Sequence, residues 1–101
     1  MQIHFIEKEN LMTREDKNTQ NWETGFWAVS KEIADSLIGG DIYLHKAQDK
    51  PSYFGGLITS YKVKNRGIHE GRIIFQFTAT AGHKGIKTGK AGWGMEKKIV
   101  K

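Results

Sequence analysis

Three tryptophans and a run of lysines set among glycines are the residues of this sequence with the most chemistry to offer. Indole rings bury a large area, so core packing is the first use for each of them. Trp22 and Trp93, however, sit among polar residues and glycines, where a buried ring is less expected. Aromatic rings beside a basic surface are what stacking on an unstacked base requires. The basic surface is present. Residues 1–61 hold six Lys/Arg against nine Asp/Glu, whereas residues 62–101 hold ten against two. Such a one-sided excess is the footprint of a polyanion-binding face. Lys62, Lys64 and Arg66 follow a strand-like run. Lys84, Lys87 and Lys90 lie in AGHKGIKTGKAGWG, a stretch with five of the chain's twelve glycines. Backbone N–H groups and ammonium groups of such a loop can reach phosphates. The alternative is a solvated loop with no partner.

Other chemistries lack their residues. A nucleotide-triphosphate cradle needs four residues between its glycines and then Gly-Lys-Ser/Thr. Here three residues separate Gly85 from Gly89, and Lys90 is followed by Ala91. His4, His45, His69 and His83 lack the paired spacing of a zinc site, and there is no cysteine to ligate a metal or form a disulfide. No serine stands in a Gly-x-Ser-x-Gly elbow. The expectation is therefore a binding module with no catalytic residues, metal or cofactor.

The elements that must position these residues are legible in part. At 101 residues the chain makes one domain spanning 1–101. Gln2 to Ile6 alternates as a strand. Glu7 to Asn21 is polar and reads as a loop or one helical turn capped by Thr13. The stretch from Trp22 to Trp27 reads as a turn carrying an indole at each end. Ser30 can cap a short helix that Gly39-Gly40 stops, with Ile33/Leu37 and Ala34/Ile38 facing the core. Asp41 to Lys46 and Leu57 to Lys64 alternate as strands around a turn at Pro51-Ser52 and Gly55-Gly56. Arg72 to Thr80 is the strongest strand, and Met95 to Lys101 reads as a last strand or a tail. The expected core is Ile33, Leu37, Ile42, Leu44, Leu57, Ile73, Phe75 and Phe77. One helix and about five strands predict an α+β or mainly β domain built as a small barrel. MQIHFIEKEN contains no long apolar run, and neither a leader nor a membrane span is visible, so a cytoplasmic protein is expected.

The segment from Trp22 to Val63 resembles the PUA-like superfamily, and within it the EVE and YTH domains. The residues that carry the resemblance are Gly25-Phe26-Trp27, the helix from Ser30 to Ile38, Gly40-Asp41-Ile42-Tyr43-Leu44 and Phe54-Gly55-Gly56-Leu57-Ile58. The resemblance implies a small β-barrel flanked by one or two short helices, and recognition of a modified base. In YTH domains the tryptophan after Gly-x belongs to an aromatic cage, and Trp27 matches that position. Trp93 is the candidate for a second cage ring by order alone. Some EVE domains read modified cytosine in restriction systems. That implies modified DNA as the partner, ahead of RNA, with any nuclease supplied elsewhere. The expected base pocket is Trp22, Trp27, Ser30 and Trp93. The expected phosphate ligands are Lys62, Lys64, Arg66, Lys84, Lys87 and Lys90. The related ASCH domains include small amidohydrolases. Their Gly-x-Lys-x-x-Thr signature is not found before the helix here, and a hydrolase acting on a modified nucleoside would have to use Lys31, Thr24 and Glu32. A third possibility is a module whose tryptophans bury against a protein partner.

Overall fold

The computed structural model of the chain describes residues 1–8, 12–94 and 96–101. Its strands are β1 (Gln2–Ile6), β2 (Thr13–Arg14), β3 (Asn21–Trp27), β4 (Asp41–His45), β5 (Ser52–Val63), β6 (Ile73–Ala79) and β7 (Lys97–Val100). One helix, α1 (Lys31–Leu37), links β3 to β4, and a single 3-10 turn (Ala81–His83) follows β6. The strands form one mixed sheet in the order β2-β3-β6-β5-β4-β1-β7. β1 and β4 run parallel, and every other neighbouring pair is antiparallel. Gln2 lies opposite Val100, so the first and last strands are partners.

The mainly β class with one helix is as the sequence predicts, but the sheet has seven strands rather than about five. Among the described residues no ladder joins its two ends into a closed barrel. The two additional strands replace the expected loop and turn. Thr13–Arg14 pairs with Glu23 and Trp22, and Asn21 to Thr24 pairs with Thr78 to Phe75. Gly25 hides β3 from the sequence pattern. It lies where the β3–β6 register shifts, between Thr24 and Trp27, and a Cβ there would meet Ile74 Cγ1 at 3.0 Å. The Glu9 to Leu11 part of the polar stretch lies outside the described residues.

The helix forms as its caps dictate. Ser30 Oγ accepts from the Ile33 N–H at 3.2 Å, Glu32 sits in the first turn, and Gly40 N–H bonds the Leu37 carbonyl. Its buried face is Ala34 and Leu37, three residues apart. Ile33 (36% exposed) and Ile38 (48% exposed) are therefore not core residues. A helix of two turns ending at Leu37 has room for only one inward pair.

β5 is longer than expected, because Phe54, Gly55 and Gly56 belong to it. A Cβ at Gly55 would meet the Ile42 carbonyl at 2.2 Å, and one at Gly56 the Thr78 carbonyl at 2.0 Å. These glycines let both neighbouring strands approach closely; they do not mark a turn. Leu57, opposite Asp41, faces outward at 46% exposure, and Ile58 takes the core position. The register shift between Ile58 and Ser60 then turns Tyr61 and Val63 toward the core.

The inner face packs Ile3, Phe5, Trp27, Ala34, Leu37, Ile42, Leu44, Ile58, Ile73, Phe75 and Phe77. Phe5 of β1 stacks on Trp27 of β3, with ring centroids 3.9 Å apart and planes 12° from parallel. β1 and β3 stand four places apart in the sheet, so the sheet curls until these strands face each other. Lys97 of β7 donates to the Ala28 carbonyl just beyond β3, tying the β7 margin to the end of β3 at one point.

Phe75 is fully buried and within ring contact of Phe5. Phe75→Ala is expected to cost about 3–5 kcal/mol in urea unfolding, and Ile33→Ala less than about 1 kcal/mol. Equal losses from the two substitutions would contradict this assignment of the core.

Candidate functional site

Where the curled sheet stays open, between the end of β3 and the β1–β7 margin, there is a cleft. Its larger part, about 520 Å³, is lined by Phe5, Phe26, Trp27, Ala28, Arg72, Gly94, Glu96 and Lys97. A smaller adjoining part of about 260 Å³ shares Phe26, Trp27 and Glu96 and adds Ile6, Glu7, Lys8, Gly25 and His69. Phe26 is the partly exposed ring of this wall. His69, from the β5–β6 connection, stacks on it at 4.7 Å between centroids and 11° between planes. Lys64 Nζ lies 5.4 Å from the same ring centroid. Four cationic side chains, Lys8, Lys64, Arg72 and Lys97, thus lie around an aromatic wall, and Glu96 borders the same cleft.

Of the residues expected in a base pocket, Trp27 alone lines this cleft. Its ring is mostly buried, stacked on Phe5, and its indole N–H donates to Thr24 Oγ1 at 3.3 Å. Trp22 lies at the other end of β3, edge-on to Phe54, with the Arg14 guanidinium 5.7 Å from its ring centroid. Ser30 is engaged as the helix cap.

Trp93 is on the opposite face of β1 from Trp27. It meets His4 and His45 edge-on, at 6.3 and 5.7 Å between centroids. His4 and Phe5 are neighbours on one strand and point to opposite sides. Trp27 and Trp93 therefore do not face each other across a gap, and the expected two-indole sandwich is replaced by a wall of Trp27, Phe26 and His69.

The expected phosphate ligands divide into two groups. Lys64 is beside Phe26, and Arg66 is exposed on the adjoining connection. Lys62 is paired with Glu23 at 2.8 Å. Lys84 lies 5.8 Å from the Phe54 ring centroid, and Lys87 and Lys90 are exposed on the glycine-rich loop. The hydrolase residues do not converge. Thr24 is buried and receives the Trp27 N–H, while Lys31 and Glu32 are exposed on α1.

Three of the four histidines, His4, His45 and His83, far apart in sequence, gather around Tyr43, whereas His69 is in the cleft wall. β1 and β4 place His4, Tyr43 and His45 on the outer face of the sheet, and the glycine-rich loop covers them. His4 and His45 are 1% and 0% exposed. The His45 Nδ1 is 2.8 Å from the Lys50 carbonyl, which can only accept, so this nitrogen carries the proton. His45 Nε2 then accepts, and His4 Nδ1 donates to it at 2.8 Å. Burial, with His45 and Lys98 adding to it, pushes His4 down from 6.5 to about 4. Burial lowers His45 as well, outweighing its bond to Lys50. His83 donates from Nε2 to Asp41 at 2.9 Å and contacts Thr80 Oγ1 through Nδ1 at 2.5 Å, pinning the start of the loop to β4. No group of three or more His, Cys, Asp or Glu among the described residues is arranged to hold a metal ion. No helix among them is long and apolar enough to cross a membrane. Phe26, His69 and Arg72 are cleft residues that the sequence pattern does not single out. The one available signal is Phe26 beside Trp27, two adjacent aromatic residues at a register shift.

The buried histidine pair makes stability depend on pH. Both rings are neutral in the folded chain, and below their ordinary pKa of 6.5 they take up protons on unfolding. The unfolded state binds more protons, so stability falls as pH drops from about 6.5 toward 4. His4→Gln is expected to flatten the fall in urea midpoint between these pH values, and an unchanged fall would place its origin elsewhere.

Comparison of the chain with protein-family models, with curated proteins and with solved structures finds no match.

Proposed function

We propose that this domain binds nucleic acid and takes one extruded base into the cleft beside β3. The observation that carries the reading is the Phe26–Trp27–His69 wall, bordered by Lys64, Arg72 and Lys97, on a cleft with adjoining parts of about 520 and 260 Å³. An aromatic face accepts a base by stacking, at about 1–3 kcal/mol per base. Extrusion from a duplex costs a few kcal/mol, and phosphate contacts from the basic side chains help to offset it. Glu96, exposed at the cleft, carries a carboxylate that can accept from an exocyclic amino group, such as cytosine N4. The sheet curls without closing into a barrel. The likeness of Gly25-Phe26-Trp27 to the cage segment of base-reading domains supports modified cytosine in DNA as the ligand to test first. RNA is the alternative within the same chemistry. On this reading Lys84, Lys87 and Lys90 extend the phosphate track along the glycine-rich loop, which leads to Gly94 at the cleft.

The test is a panel of single-stranded and duplex oligonucleotides, unmodified, cytosine-modified or adenine-modified, at two salt concentrations. Phe26→Ala is expected to remove the preference for the modified base and leave weaker binding that ignores modification. Replacing Lys84, Lys87 and Lys90 together by alanine is expected to weaken binding to every sequence alike. The salt slope should then fall by roughly one for each phosphate that a lysine no longer neutralises. Binding that scarcely changes with salt would overturn the phosphate-contact reading.

A further inference from the structure

Ile68 is the most exposed large apolar side chain among the described residues, at 97%. It stands at the tip of the connection between β5 and β6, in the sequence Lys64-Asn65-Arg66-Gly67-Ile68-His69-Glu70-Gly71-Arg72. Exposure of one apolar residue is ordinary by itself. Here the backbone holds the tip in a defined shape. Lys64 N–H bonds the Arg72 carbonyl, and Gly71 N–H bonds the Lys64 carbonyl, each at 2.9 Å. Within the tip, Glu70 N–H bonds the Gly67 carbonyl and Arg72 N–H the His69 carbonyl. Gly67 and Gly71 have φ of +87° and +84°, a conformation that side-chain-bearing residues rarely adopt. The tip is therefore braced, with two glycines setting its bends, and it presents isoleucine to solvent.

Its neighbours say what it meets. Arg66 and Arg72 flank it in sequence, and Glu70 is the one acidic residue of the segment. The next residue, His69, stacks on Phe26 in the wall of the cleft, and Arg72 lines the cleft itself. An apolar tip between cations, one residue from an aromatic cleft, fits a duplex whose phosphates meet the arginines. Proteins that unstack base pairs insert such side chains, isoleucine among them, between base steps. Resting on the base-binding reading above, we infer that Ile68 is the wedge that enters the duplex and occupies the space vacated by the base held against Phe26. The cleft then selects the base, and the hairpin tip opens the stack.

The two roles separate experimentally. The probes are a short duplex with one 5-methylcytosine next to 2-aminopurine, which brightens on unstacking, and the same modified strand alone. Wild type and Ile68→Ala are compared as the full chain. Ile68→Ala is expected to bind the single strand as wild type does, to bind the duplex about tenfold or more weakly, and to lose the brightening. Ile68→Leu is expected to restore both. Duplex binding and brightening unchanged in Ile68→Ala would overturn the wedge and leave the base cleft standing. An equal loss on single strand and duplex would also overturn it, making Ile68 a simple contact. Wild-type protein that binds neither probe would overturn the cleft and the wedge together. Binding of wild type to phosphatidylserine vesicles that disappears in Ile68→Ala, with duplex binding retained, would assign the tip to a membrane surface instead.

Discussion

Among the described residues, a sheet of seven strands accompanied by a single two-turn helix cannot hide its apolar face beneath that helix. The face must be buried against itself. The stack of Phe5 on Trp27 is where this happens: strands distant in the ladder order are brought ring to ring, with centroids 3.9 Å apart. Burying apolar area is the main favourable term in folding. Its geometric result here is a curl that nearly, but not fully, brings the margins together. The cleft is the remainder of that near-closure. It is aromatic because the rings that drive the curl also form its wall, and it is basic because the β5–β6 connection and β7 border it.

The two sides of the sheet near β1 and β4 are buried by different means. The inner side is hydrocarbon and aromatic. The outer side holds His4, Tyr43 and His45, whose polar atoms need partners when covered. The carbonyl of Lys50 fixes the tautomer of His45, and His45 fixes that of His4. Ser52 adds to this, since its hydroxyl donates to the His83 carbonyl and accepts from the Ile86 N–H. A loop rich in glycine thereby acquires a fixed path over part of its length. The lysines it carries are displayed on a supported segment.

Much of this is readable in the residues. The alternation in β1, β4 and β6 and the caps of α1 name their elements directly, because period and capping chemistry are local properties. Leu57 and Ile33 mislead because a register shift and a short helix change which residues face inward, and both depend on neighbours distant in sequence. Trp27 is legible as a ring at a strand-to-helix junction. Trp93 as its partner is not, because nothing in the spacing of a loop tells which face of β1 it will cover. Phe26, His69 and Arg72 converge only after β3 pairs with β6, so no spacing rule would group them. The histidine layer escapes for the same reason: His4 and His45 are 41 residues apart and meet through the parallel pairing of β1 with β4.

The pairing of β1 with β7 sets Gln2 directly across from Val100. Paired strands lie about 5 Å apart. A polypeptide entering at the first position and leaving at the last therefore does so through almost the same point of the surface. Seen from a host chain, the whole fold occupies no more room along the backbone than one strand spacing. It can be carried within a loop of a larger protein without forcing the flanking segments apart, and the β1–β7 ladder would serve as its stem.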